Sequence, residues 1–149
     1  MATSLLPSDF KDFLKLLNSR HVEYLLIGGY AVGYYGYSRA TADLDVWIAI
    51  SSENAEKMVT VLRDFGFDVA GFSAATFQAA NKVIRMGVPP LRIEVLTTIS
   101  GVQFADCYRQ RKIDTLDGIE VNLIGLAQLK INKRASGRFK DLDDLEHLP

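Results

Sequence analysis

Cysteine is nearly absent from the 149-residue sequence: Cys107 stands alone, so the chain forms no internal disulfide and builds no thiolate metal site. Histidine is almost as scarce, and His21 and His147 are too isolated to make a catalytic dyad or a zinc site. Apolar runs stay below the ~18 residues that a membrane span requires, and the start lacks a basic segment followed by a long apolar stretch. Neither a membrane span nor an export signal is therefore expected, and with a single thiol the expected location is the cytoplasm. Net charge is missing as well. Seventeen basic and 18 acidic side chains leave −1, which removes a whole-molecule case for non-specific nucleic-acid binding but leaves room for a local basic patch. No Gly-Lys-Ser/Thr occurs, so a P-loop is excluded, and there is no internal repeat or low-complexity linker.

What remains is an ordinary globular composition, 48% hydrophobic and 23% charged, at a length that suits one domain spanning residues 1–149. Helical spacing of Phe10, Phe13, Leu14 and Leu17 after Ser8 as N-cap predicts a first helix to about Arg20. Val22 to Ile27 is a continuous apolar run, the pattern of an interior strand. A short helix over Ala31–Tyr35, a strand over Leu44–Ile50 and a helix capped by Ser51 or Ser52 and stopped by Gly66 follow. Beyond a weakly patterned region, from Phe67 to Gln78, strands are expected at Lys82–Met86 and Leu91–Leu96, then a helix over Gly101–Arg111. Asp117-Gly118 joins a hairpin of Ile113–Leu116 and Ile119–Leu123, and two helices over residues 126–148 close the fold. The expected class is mixed α/β or α+β, about four to six strands with helices on at least one face.

The stretch IGGYAVGYYGYSRATADLDVWI, Ile27 to Ile48, carries the chemistry. Asp43 and Asp45 lie two apart on a strand and so share one face, a few ångströms from each other. Two carboxylates that close repel unless a divalent cation lies between them. Gly28 and Gly29 allow backbone N–H groups to approach a ligand, and the helix after them points its positive end the same way, which suits an anion. A cation beside an anion suggests bound polyphosphate. A two-metal site needs a further carboxylate, and Glu94 in LRIEVL is the candidate; a salt bridge to Arg85 or Arg92 is the competing reading. A dinucleotide fold is disfavoured because the glycines at 28, 29, 33 and 36 do not give G-x-G-x-x-G.

Lys130, Lys133, Arg134, Arg138 and Lys140 form one basic cluster, read mainly as a solvated helix face with Lys130 singled out as a phosphate contact. Tyr30, Tyr34, Tyr35 and Tyr37 are read as packing before stacking, and Trp47 as packed between sheet and helix.

Gly28-Gly29, thirteen intervening residues, Asp43-x-Asp45 and the later Glu94 resemble the DNA polymerase beta type nucleotidyltransferase superfamily. The run YLLIGGYAVGYYGYSRATADLDVWI and the closing KINKRASGRFKDLDDLEHL are similar to small lincosamide- and aminoglycoside-modifying nucleotidyltransferases and to nucleotidyltransferase toxins of abortive-infection systems. The resemblance implies transfer of a nucleoside monophosphate from a nucleoside triphosphate to an acceptor hydroxyl, with two Mg²⁺ ions, or Mn²⁺, held by Asp43, Asp45 and Glu94. It further implies phosphate contacts from Gly28 and Gly29, with Ser38 and Arg39 as candidates beside them and Arg39 equally readable as a structural loop anchor; Lys130 is the candidate contact from the basic cluster. The acceptor would be a small molecule or RNA, with a homodimer or a toxin–antitoxin partner as protein partners; a regulatory, non-catalytic member of the same fold is the alternative. No membrane role is implied.

Overall fold

The computed structural model describes residues 6–38, 41–67, 73–88 and 91–149. Helix α1 (Ser8–Ser19) buries Phe10, Phe13, Leu14 and Leu17, as their spacing demands, but begins on Ser8 itself. Pro7 takes the cap position with no side-chain capping bond; lacking an N–H, proline leaves no donor stranded there. Strand β1 (Tyr24–Ile27) is buried at every position. It starts two residues late because His21 turns the chain at φ 57.

Helix α2 (Gly28–Tyr34) begins three residues earlier than its sequence pattern indicates, directly at the end of β1. Gly28 makes this abrupt turn at φ 68, a conformation that a side chain would disfavour. Strand β2 (Asp43–Ile48) takes both aspartates into the ladder, one residue sooner than expected. In helix α3 (Ser52–Phe65), Ser51 Oγ accepts from the Asn54 N–H at 3.0 Å and Gly66 closes the end in the left-handed region.

A short helix α4 (Ala74–Gln78) buries Phe77. The hairpin β3 (Val83–Val88) and β4 (Leu91–Leu96) follows, then helix α5 (Phe104–Arg109). The last is shorter than Gly101–Arg111, since Gly101 sits at φ 82 outside any helix. Strands β5 (Lys112–Leu116) and β6 (Ile119–Leu123) turn through Asp117 and Gly118, both at positive φ as a type I′ hairpin requires. Helices α6 (Leu126–Ser136) and α7 (Phe139–His147) are separated by Gly137 at φ 68.

The strands form one sheet in the order β3-β4-β2-β1-β6-β5. It is mixed: β2 runs parallel to β4 and β1 parallel to β6, while the other neighbours are antiparallel. The fold class is thus mixed α/β, at the upper end of the expected strand number. Phe13 meets Phe65 edge-on at 5.3 Å, joining α1 to α3. Trp47 packs edge-on against Phe104 of α5 at 5.1 Å, between sheet and helix as expected. Among the described residues no helix is long and apolar enough to cross a membrane.

Candidate active site

The parallel pairing of β2 with β4 sets Asp45 opposite Glu94 and Asp43 opposite Arg92. Ile93 and Val95 turn into the core, which sends Glu94 to the face that Asp43 and Asp45 share. Among the described residues, Asp43, Asp45 and Glu94 each offer a carboxylate oxygen, and these oxygens lie within 4.8 Å of one another. Antiparallel pairing of Ile27 with Asp45 brings Gly28 against the same carboxylate. A Cβ on Gly28 would fall on Asp45 Oδ2, and one on Gly29 would fall on the Thr41 side chain. Gly28 thus leaves room for the Asp45 carboxylate and Gly29 for Thr41, whatever else they contact.

Burial pushes the Asp45 carboxyl up to about 7, reinforced by its hydrogen bond with Glu94 and by the charges of Glu94 and Asp43, and opposed by Lys140. Its Oδ1 is buried without a hydrogen-bond partner, an unusual state for a carboxylate. Arg92 Nη2 donates to Asp43 Oδ2 at 3.0 Å, and Arg85 Nε donates to Glu94 Oε2 at 2.5 Å. The salt bridge that competed with a ligand role for Glu94 is thus present, and it coexists with the acid cluster.

The carboxylates open into a cleft of about 550 Å³ whose opposite wall is basic, contributed by the end of α6 and the start of α7. Lys133, Arg138 and Lys140 line it, with Asn132 and Ser136 between. This redraws the basic cluster. Lys133 is buried instead of solvated, because its ammonium sits 3.1 Å from Asp141 and 3.0 Å from Asp144 in the seam between the two helices. Lys130 does not line the cleft, its ammonium donating to the Pro149 carbonyl at 2.8 Å, whereas Arg138 and Lys140 do. A local sign was readable, since Arg138 and Asp141 stand at i, i+3, but the depth of Asp141 was not. Ser38 is exposed and does not line the cleft; Arg39 lies outside the described residues.

The tyrosines are structural. Tyr35 donates to the Ile124 carbonyl at 2.7 Å, Tyr34 to Asp114, and Tyr37 to Asp143 while stacking on His147 at 4.0 Å. Tyr30 meets Phe10 edge-on at 5.9 Å. None of the four lines the cleft.

Three convergent carboxylates, one with a buried unpartnered oxygen, are an all-oxygen donor set of the kind hard divalent cations take. The residues fit Mg²⁺ or Mn²⁺.

No protein-family model matches the sequence, and no curated protein sequence matches it. The fold itself is that of nucleotidyltransferases, as solved structures show. A Thermotoga maritima protein described as a candidate nucleotidyltransferase aligns at 12% identity and TM-score 0.61, over 92% of this chain and 88% of its own. The antibiotic-resistance factor ANT(2'')-Ia aligns at 10% identity and TM-score 0.58, over 93% of this chain and 80% of its own. The lincosamide antibiotic adenylyltransferase LnuA, in its lincomycin-bound structure, aligns at 12% identity and TM-score 0.56, over 97% of this chain and 96% of its own.

Proposed function

We propose that the protein transfers a nucleoside monophosphate from a nucleoside triphosphate to the hydroxyl of a small-molecule acceptor, releasing pyrophosphate. The carrying observation is the convergence of Asp43, Asp45 and Glu94 within 4.8 Å, with a basic wall across the same cleft. In the reaction the acceptor oxygen forms a bond to the α-phosphorus as the bond to the bridging oxygen breaks, and pyrophosphate leaves with that electron pair. Asp43, Asp45 and Glu94 would hold Mg²⁺ or Mn²⁺, which when bound supplies charge neutralisation to the phosphates.

The chain's own groups do the rest. Gly28 keeps the space beside Asp45 open, so its carboxylate faces the cleft without distortion. Glu94 takes the acceptor's proton in this reading, a role supported by its facing the cleft beside Asp45. Arg138 and Lys140 bring positive charge to the side on which pyrophosphate departs. A volume of about 550 Å³ suits a nucleotide or a small acceptor better than a polymer. Likeness to ANT(2'')-Ia and LnuA supports an antibiotic-like acceptor, and the modest basic surface argues against RNA.

Calorimetry with ATP, GTP, CTP and UTP, with and without Mg²⁺, tests the reading. Metal-dependent binding of at least one triphosphate is expected, along with labelled product when aminoglycosides or lincosamides are supplied. Binding that ignores the metal, and survives Asp43→Asn with Asp45→Asn, would return the protein to the class of non-catalytic relatives acting through a protein partner.

A further inference from the structure

Asp141 is the least expected charge in the protein, a carboxylate 1% exposed at the edge of a solvent-filled cleft. Burying it is costly unless its oxygens are satisfied, and they are. Oδ1 accepts from Lys133 Nζ at 3.1 Å and from Arg138 Nη2 at 3.2 Å, while Oδ2 accepts from Arg138 Nε at 2.7 Å. Lys133 is held in turn by Asp144 at 3.0 Å, and both are almost fully buried. The chain of contacts runs Asp144, Lys133, Asp141, Arg138, from the seam between α6 and α7 out to the cleft.

Arg138 is the end of this chain and differs from the rest. Its side chain is 68% exposed, yet its Nε and Nη2 edge is clamped on a buried acid. An arginine held by that edge has lost most of its rotational freedom, and it lines the cleft that also holds the acidic triad. A helix-to-helix staple would need only Lys133 with Asp141 and Asp144. The Arg138–Asp141 pair is also the capping box of α7, Asp141 Oδ2 accepting from the Arg138 backbone N–H at 3.3 Å, so the contact that starts the helix also fixes a guanidinium at the cleft wall.

We infer that Arg138 is a polyphosphate-binding residue, gripping the departing β- and γ-phosphates, and that Asp141, backed by Lys133 and Asp144, is the positioning residue that sets its fork. This assignment rests on the nucleotidyl-transfer reading and names the part of the cleft that takes the pyrophosphate. Lysine at 138 could supply the charge but not the planar two-point grip.

The test titrates the full-length protein in Mg²⁺ with inorganic tripolyphosphate, with the best-bound triphosphate and with the matching nucleoside monophosphate. Arg138→Ala is expected to weaken tripolyphosphate and triphosphate about 10- to 100-fold and to leave the monophosphate nearly unchanged. Arg138→Lys should recover only part of the loss. Asp141→Asn should weaken the same two ligands by about tenfold, raise KM more than it lowers kcat, and again spare the monophosphate. Circular dichroism identifies any variant that does not fold; should Asp141→Asn be one, the exposed Arg138 pair still decides the ligand assignment.

A wild type that binds no triphosphate removes the nucleotidyl-transfer reading and this one with it. A wild type that binds, beside an Arg138→Ala that binds equally well, overturns this assignment alone. Loss at Arg138 with no change in Asp141→Asn overturns the positioning role, leaving Asp141 as a staple.

Discussion

Gly28 and Gly33 stand five residues apart in one helix and ask opposite things of a side chain. At Gly28 the backbone lies at φ 68 and an added Cβ would fall on the Asp45 carboxylate. Gly28→Ala is expected to cost about 1–3 kcal/mol, from left-handed strain and the displaced carboxylate together, and to abolish metal-dependent nucleotide binding. At Gly33 nothing lies within 4 Å and the residue is helical, so Gly33→Ala should stabilise by about 0.5–1 kcal/mol. Urea denaturation of the two variants reads the contrast in sign. Asp45→Asn keeps the shape of its side chain while removing a charge from a crowded site. Its expected signature is a folded protein of undiminished stability whose turnover falls by at least about a thousandfold, or about 4 kcal/mol of barrier, measured by labelled-nucleotide incorporation.

At the scale of elements, the seam between α6 and α7 is where stability is most exposed to mutation and to acid. Lys133 reaches Asp144 at 3.0 Å and shares Asp141 with Arg138, so Lys133→Met removes a buried positive charge from between two buried carboxylates. A loss of about 3–5 kcal/mol is expected by chemical denaturation. Burial by itself would raise the Asp141 carboxyl; hydrogen bonds from Arg138, Ser136 and Lys133 outweigh it and hold the group well below the usual carboxylate range. In the unfolded chain that aspartate would titrate near 3.9, so below about pH 4 the unfolded state binds the extra proton first. Its stabilising contribution is complete above that pH and is lost as pH falls further. The melting temperature of the wild type should therefore drop steeply below pH 4, and that of Asp141→Asn, lower at neutrality, should drop less.

Over the whole molecule, the site joins elements distant in the chain: β2, β4 and the two closing helices. A ligand spanning them ties these parts together and should raise global stability. With a bound triphosphate at a hundred times its Kd in Mg²⁺, mass action gives about 2.7 kcal/mol, or about 5–10 °C in Tm for a chain of this size. Scanning calorimetry should show the shift with Mg²⁺ present and none with a chelator, and none in the Asp43→Asn, Asp45→Asn double variant.

The same scales divide what could be read in advance from what could not. Two aspartates at i, i+2 share a strand face by backbone geometry alone, and Asp117-Gly118 turns a hairpin because few other pairs tolerate positive φ twice. These are properties of a few adjacent residues, so the aspartate pair, the capped helix α3 and the β5–β6 hairpin were legible. That Glu94 completes the pair depends on β4 lying beside β2 in register, an outcome of long-range strand pairing that no local pattern encodes. Lys133 and Lys130 look alike in the sequence. Only the packing of α7 on α6 buries the first among acids and leaves the second on a carbonyl outside the cleft, because periodicity tells which helix positions share a face but not which face another element will cover.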